Sequence, residues 1–293
     1  MKNRNFMQML RAKWAEGKFV CVGLDTDFNK IPQCVKDKNY PVSGTIIEFN
    51  KTIIDATSDY ACAYKPNSAF YEQYGAEGIN ALRRTIDHVH ETAPNMPVIL
   101  DYKRGDIGNT NEGYVKFAFN YLEADAVTVH PYLGSEAMKP FLDCKDKGII
   151  VLCRTSNKGA GEFQDKKNLL QREFYTDSVE LYKIVARNIT KTWNYNNNCL
   201  LVVGATYPGE LKQVRKIVGD MPILIPGIGA QGGDLQATLE AGLDSKGEGV
   251  IINSSRGIIY ASSGEDFAEA ARRETLKLHT AIADFRQKYL ATV

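Results

Sequence analysis

Short apolar runs, many of them β-branched, recur along the chain at 19–24, 60–64, 98–102, 126–129, 149–153, 200–203, 223–225 and 250–252. They are continuous rather than alternating, the pattern of parallel strands covered on both faces by helices. Between them lie longer stretches with apolar residues at helical spacing: 44–57, 75–92, 111–123, 135–145, a longer stretch at 167–193 that can be broken, 208–218, 233–241 and 265–289. Eight strands alternating with eight helices predict a (β/α)₈ TIM barrel. The structural alternative is an open, doubly wound sheet. An amphipathic helix within 1–18 precedes the first strand. No Pro/Gly/Ser-rich linker, repeat or low-complexity segment divides the chain, so 1–293 is expected to form a single domain. The longer connections, 27–42 and 156–166, are expected to act as walls or lids at the C-terminal face of the barrel.

Composition narrows the function classes. The 293 residues carry a net charge of +1, so no overall field draws the chain to nucleic acid or to a membrane surface. An anionic ligand must be captured locally. No apolar run is long enough to span a bilayer, and the N-terminal segment has no secretory core. The six cysteines form no CxxC pair and no metal-ligand spacing. Most fall in or beside apolar runs, as small buried hydrophobes do, which fits a reducing cytoplasm.

Barrel active sites are built from strand ends. Here those ends carry Asp25, Lys65, Asp101 with Lys103, His130, Ser156, Thr206, Gly227-Ile228-Gly229 and Ser254-Ser255-Arg256-Gly257. The richest segment is Asp101-Tyr-Lys103-Arg-Gly-Asp106, which follows Val98-Ile99-Leu100. Side chains two apart on a strand share a face, so a carboxylate and an ammonium are expected to emerge together, with Asp106 in the loop beyond. Such charges are expensive to desolvate, which favours a site over a surface ion pair. A second signal follows the last two strands. Glycine-rich 226–233 and the Ser-Ser-Arg-Gly turn expose backbone N–H groups beside an arginine, a suitable cradle for phosphate.

Asp-x-Lys-x-x-Asp after strand three, Ala63-Tyr64-Lys65-Pro66 on strand two, Pro-Gly-Ile-Gly-Ala-Gln at 226–231 and the terminal Ser-Arg-Gly resemble the orotidine 5′-phosphate decarboxylase family. The match runs in order from about residue 19 to 260. Chain length and Val129-His130-Pro131-Tyr132-Leu133-Gly134 favour its longer, bacterial-type branch. The resemblance implies conversion of orotidylate to uridylate and CO₂ without metal or organic cofactor, in a homodimer. It implies Lys103 as proton donor to C6, Asp101 beside the scissile carboxylate, and Lys65 in the charge network against the ribose. Asp106 and Thr110 would reach the neighbouring subunit's site. Asp25 would bind a ribose hydroxyl and Ser156 the pyrimidine edge. Gln231 and Arg256 would hold the phosphate, with backbone groups near Gly229 and Gly257.

Physical chemistry is compatible with these roles. Loss of CO₂ leaves a carbanion in the ring plane, beyond the reach of the π system, and a pre-positioned ammonium stabilises and then quenches it. Unit charges about 4 Å apart interact by about 4 kcal/mol at an effective dielectric near 20. One lysine therefore supplies part of the barrier reduction, and positioning and remote phosphate binding must supply more. Blander readings exist for single residues: His130 as a packing and hydrogen-bonding group under strand four, Ser156 as a loop cap, Asp106 as a helix cap. The aromatic-rich 175–195 stretch reads as helix packing or subunit contact.

Three rivals share parts of the pattern. Mg²⁺-dependent sugar-phosphate decarboxylases or aldolases of the same superfamily place an acidic metal ligand at the end of strand two, where Lys65 stands here. A Schiff-base aldolase needs a neutral amine at Lys103, whereas its acidic neighbours favour the ammonium. A non-catalytic nucleotide-binding barrel would keep the phosphate cradle and release no CO₂.

Overall fold

A computed structural model describes residues 4–172, 175–228 and 232–291, with 168–172 and 175–178 described by their backbone pairing alone. Its strands are β1 (Val20–Gly23), β2 (Ala61–Lys65), β3 (Ile99–Arg104), β4 (Ala126–Val129), β5 (Gly148–Arg154), β6 (Lys167–Arg172), β7 (Tyr175–Glu180), β8 (Cys199–Val203), β9 (Ile223–Pro226) and β10 (Val250–Ser254). Eight of them form one parallel sheet in the order β2-β1-β10-β9-β8-β5-β4-β3. Bridges Tyr64↔Val98 and Asn67↔Asp101 join its two edges and close the ring. Closure selects the barrel over the open sheet. Every residue of β1, β2, β4, β8 and of Val250–Ser254 is buried, which is why these runs are apolar without alternation.

The helices follow from their own patterns. Gly75–Thr92 buries Gly78, Ala81, Leu82, Thr85, Ile86 and Val89, a stripe at three- and four-residue spacing that faces the sheet. Pro208 opens Pro208–Val218, and Gly219 ends it at φ +58°. Asp234 caps Leu235–Gly242 by accepting from the Ala237 N–H. The N-terminal helix, Phe6–Ala15, buries Phe6, Leu10 and Trp14. Gly134–Leu142 and Phe267–Leu290 lie within a few residues of expectation.

Two elements differ from the sequence pattern. The helix expected at 111–123 begins earlier, as Gly108–Val115, and continues as a π-helical turn over Lys116–Tyr121. The stretch 167–193 is helical only in its second half, Leu181–Asn188 with a π-turn at Ile189–Trp193. Its first half is the antiparallel pair β6–β7, registered Lys167↔Glu180 through Arg172↔Tyr175. Apolar residues at 169, 170, 174, 175 and 179 recur every four or five positions. That spacing also suits a helix, and Tyr175, Thr176 and Val179 tip the balance toward strand.

Candidate active site

The C-terminal ends of the barrel strands surround a cavity of about 240 Å³, and its charged wall is an alternating series. Asp25 leaves β1, Lys65 ends β2, and Asp101 and Lys103 come from β3. Lys65 Nζ lies 3.9 Å from Asp25 Oδ1 and 2.6 Å from Asp101 Oδ2, and Lys103 Nζ lies 2.5 Å from Asp101 Oδ1. Lys65 and Asp101 are 3% and 8% exposed, so neither charge is relieved by bulk water. Burial pushes the Asp101 carboxyl up, but Lys65 and Lys103 outweigh it and hold the group well below the usual carboxylate range. Burial opposes the Lys65 ammonium in the same way, and Asp101 and Asp25 raise its pKa above that of a free lysine. Both groups are therefore charged at neutral pH.

Beneath Asp25 lies a buried polar relay. The Tyr71 hydroxyl donates to the Leu24 carbonyl at 2.9 Å and accepts from Asn50 Nδ2 at 3.0 Å, while the Thr26 hydroxyl donates to Asn50 Oδ1 at 2.6 Å. These bonds hold the chain on either side of Asp25. Its Oδ1 and that of Asn253 are buried acceptors without a hydrogen-bond partner among the described residues. Both residues line the cavity, where a ligand's hydroxyl or N–H donors would satisfy them.

Lys103 reaches Asp101 by a route that a regular strand does not provide. In the β3–β4 ladder Leu100 pairs with Val127 and Arg104 with Val129. Asp101, Tyr102 and Lys103 thus stand opposite Thr128 alone, a bulge that adds residues on the β3 side. Lys103 takes φ +48°, in the left-handed region. A non-glycine side chain there costs on the order of 1–3 kcal/mol, and such strain collects at functional sites. Asp101 and Lys103 do meet, as their spacing predicts, and the bulge is what converges their charges.

The cavity is also lined by Arg256, Ser255, Gly227, Ile228, Pro226, Thr155 and Ser156, which follow β5, β9 and β10. Arg256 begins the short helix Arg256–Ile259 after β10, is exposed, and its guanidinium makes no hydrogen bond or ion pair with the described residues. Its charge is available to an anion. Ser255 ties this loop to β1 by donating to the Gly23 carbonyl at 3.0 Å. Gly257 follows Arg256 on the exposed rim and does not line the cavity itself. Gly229 and Gln231 lie outside the described residues. Ser156 rests against Gly204, where a Cβ would stand 2.7 Å from the Ser156 Cβ, so the close approach requires glycine. The Gln164 side chain braces the same loop: it accepts from the Thr155 N–H and donates to the Thr155 hydroxyl, both at 2.9 Å.

Asp106 and Thr110 do not line the cavity of their own chain. The Asp106 carboxylate accepts from the Ile107 N–H at 2.7 Å, and Thr110 is exposed near the start of Gly108–Val115. Asp106 is not the helix cap: Ile107 occupies that position without a side-chain bond. His130 packs as read from sequence, its Nε2 3.0 Å from the Gly105 carbonyl. Thr206 lies outside the cavity lining. Sequence reasoning missed Asn67, Thr128, Thr155 and Asn253, all lining residues. Asn67 and Asn253 stood beside charged strand ends and were findable there; Thr128 was hidden inside an apolar run.

The chain that carries this site is similar to known proteins. The chain is 46% identical over 279 residues to "Orotidine 5'-phosphate decarboxylase" of Cellvibrio japonicus, covering 95% of this chain and 98% of the relative. The solved structure of Leishmania donovani OMP decarboxylase superposes with a TM-score of 0.77 at 38% identity, covering 96% of this chain and 99% of the other. Leishmania donovani UMP synthase matches at TM-score 0.79 and 39% identity; 96% of this chain is covered and it spans 57% of that longer chain. A family model for the orotidine 5'-phosphate decarboxylase / HUMPS family matches residues 18–273, a span that contains the whole barrel and every charged group described above, and the chain belongs to that family.

Proposed function

We propose that the chain decarboxylates orotidine 5′-phosphate to uridine 5′-monophosphate in pyrimidine biosynthesis, with Lys103 as the proton donor. The observation that carries this reading is the Asp25–Lys65–Asp101–Lys103 series, with both lysines ion-paired to one buried carboxylate. Arg256 binds the substrate phosphate, with Gln231 and backbone groups near Gly229 and Gly257. Asp25 takes a ribose hydroxyl, and Ser156 the pyrimidine edge. Remote phosphate binding is then used to hold the carboxylate-bearing carbon against the charge series.

The step balances simply. The bond from C6 to the carboxylate carbon breaks, CO₂ departs, and the electron pair stays in the ring plane at C6. Lys103 Nζ stabilises that pair and transfers a proton to it; solvent returns a proton to the amine. Lys65 keeps Asp101 ionised, and Asp101 orients Lys103.

The metal-dependent reading is less favoured by the donor set. Among the described residues no group of three His, Cys, Asp or Glu side chains is placed to hold a metal ion. The space between Asp25 and Asp101 is taken by the Lys65 ammonium, and a cation there opposes a second one. We further propose a cytoplasmic homodimer in which Asp106 and Thr110 complete the partner's site. Their position outside their own cavity supports this, as do the neighbouring exposed apolar residues Ile107, Tyr132 and Leu133. All six cysteines are free thiols, in keeping with a reducing compartment. No helix among the described residues is long and apolar enough to cross a membrane.

The test is the spectrophotometric loss of orotidylate in the presence of EDTA, with Lys103→Ala as control. Turnover that survives EDTA and collapses in the variant is expected. No turnover by the unmodified protein, or equal turnover by the variant, overturns the reading.

A further inference from the structure

We propose that Thr128 is a positioning residue for the decarboxylation, the group that holds Lys103 and Asp101 in their working arrangement. The inference rests on the functional reading above and adds to it a residue with no charge of its own. Thr128 is buried on β4, opposite the bulge that carries Asp101, Tyr102 and Lys103. Its hydroxyl accepts from the Lys103 backbone N–H at 3.1 Å and donates to Asp101 Oδ1 at 2.8 Å. That same carboxylate oxygen receives Lys103 Nζ at 2.5 Å. One hydroxyl therefore grips the lysine at its main chain and, through Asp101, at its ammonium.

The bulge explains why a hydroxyl is needed. Three β3 residues opposite one β4 residue displace Lys103 from the regular ladder, and its N–H bonds the Thr128 hydroxyl. The left-handed Lys103 backbone needs such an external hold to persist. The partner must accept from an amide and donate to a carboxylate at once, which a hydroxyl does and a methyl does not. Threonine adds a stiff, β-branched χ1 on a strand paired to β5 through all four of its residues. The division of Asp101 also follows. Oδ1 is committed to Lys103 and Thr128, Oδ2 to Lys65, so the carboxylate cannot rotate without losing bonds on both sides.

Thr128→Val keeps the shape and removes both bonds; Thr128→Ser keeps both bonds. In Thr128→Val, kcat for orotidylate is expected to fall roughly 10- to 100-fold, the scale of losing one positioning contact at the reacting centre. KM and the affinity for uridine 5′-monophosphate should stay within about threefold, because the proposed phosphate anchor, Arg256, follows β10 and is not bonded to Thr128. Thr128→Ser should stay within about threefold of wild type in kcat. Amide hydrogen exchange at Lys103 should accelerate in the Val variant and not in the Ser variant. If the Val variant does not fold, Thr128→Ala against Thr128→Ser makes the same comparison. The proposal is overturned by a Val or Ala variant within twofold of wild-type kcat, by a Ser variant as impaired as Val, or by unchanged exchange at Lys103. If wild type itself does not turn over orotidylate, the functional reading has failed, and the exchange comparison still decides whether Thr128 holds Lys103.

Discussion

Lys65 is the residue on which the electrostatics of the site depend. Buried between Asp25 and Asp101, it is the counter-charge that lets Asp101 stay ionised in spite of its burial. Removing one member of a buried pair commonly costs about 3–5 kcal/mol, because the other is left uncompensated. Asp101 retains Lys103, so Lys65→Met is expected near the low end of that range in urea unfolding, with turnover down at least about 100-fold. The pH dependence has a definite sign. The Asp101 carboxyl ionises more readily folded than unfolded, so its stabilisation is complete above the ordinary carboxylate pKa near 4. It is lost as pH falls from there toward the depressed folded value. Unfolding midpoints should not register Asp101 between about pH 7 and 5, and in Lys65→Met the acid loss should be smaller and end at higher pH, because the folded carboxyl is less depressed. The charged members of this site were legible because a charge ending an apolar strand needs a reason to be there. Asn67 and Asn253 were findable only as neighbours of charged strand ends, and Thr128 was not, since an uncharged polar side chain disturbs the hydrophobic pattern little. The bulge that makes Thr128 matter is set by pairing between strands rather than by local sequence.

At the scale of elements, the loops after β5 and β8 are fitted to each other. Gly204 follows β8 and leaves room for Ser156, while Arg154 and Gln164 secure the rest of the β5 loop. Gly204→Ala places a methyl 2.7 Å from the Ser156 Cβ and 3.0 Å from its backbone nitrogen. Overpacking of this kind typically costs about 1–3 kcal/mol. If Ser156 contacts the pyrimidine edge, its displacement should raise KM for orotidylate by roughly tenfold. The affinity for inorganic phosphate, for which Arg256 is the proposed anchor, should hold. Steady-state kinetics beside phosphate titration checks both; an unchanged KM would remove Ser156 from the binding site. The eight barrel strands were read within one or two residues because each is a buried apolar run closed by a polar residue. The β6–β7 pair was not, since its apolar spacing suits either period and its partner strand is its own sequence neighbour.

Across the whole molecule, stability and chemistry occupy opposite ends of the barrel. At the base, Arg215 is buried and donates to the carbonyls of Gly242, Gly219, Met221 and Gly249 at 2.6–2.7 Å. Burial draws its pKa down to about 10, so it remains charged at neutral pH. Arg215→Met removes a donor from all four carbonyls, of which Gly249 keeps the Ile223 N–H, and should cost on the order of 3–5 kcal/mol in urea unfolding, with turnover per folded molecule unchanged at low temperature. At the other end lies the site that the proposed dimer would complete. Asp106 and Thr110 stand outside their own cavity, next to exposed Ile107, so in a two-fold dimer they can serve the partner's cavity instead. Lys103→Ala and Asp106→Asn homodimers should each be nearly inactive. Unfolded together and refolded at equal ratio, they form mixed dimers in which one site has both the native Lys103 and the native Asp106. Random pairing then restores about a quarter of the sites, and turnover should rise to about that fraction of wild type. Recovery that appears only after subunit exchange assigns Asp106 to the neighbour's site, and mixtures as inactive as their parents place it in its own.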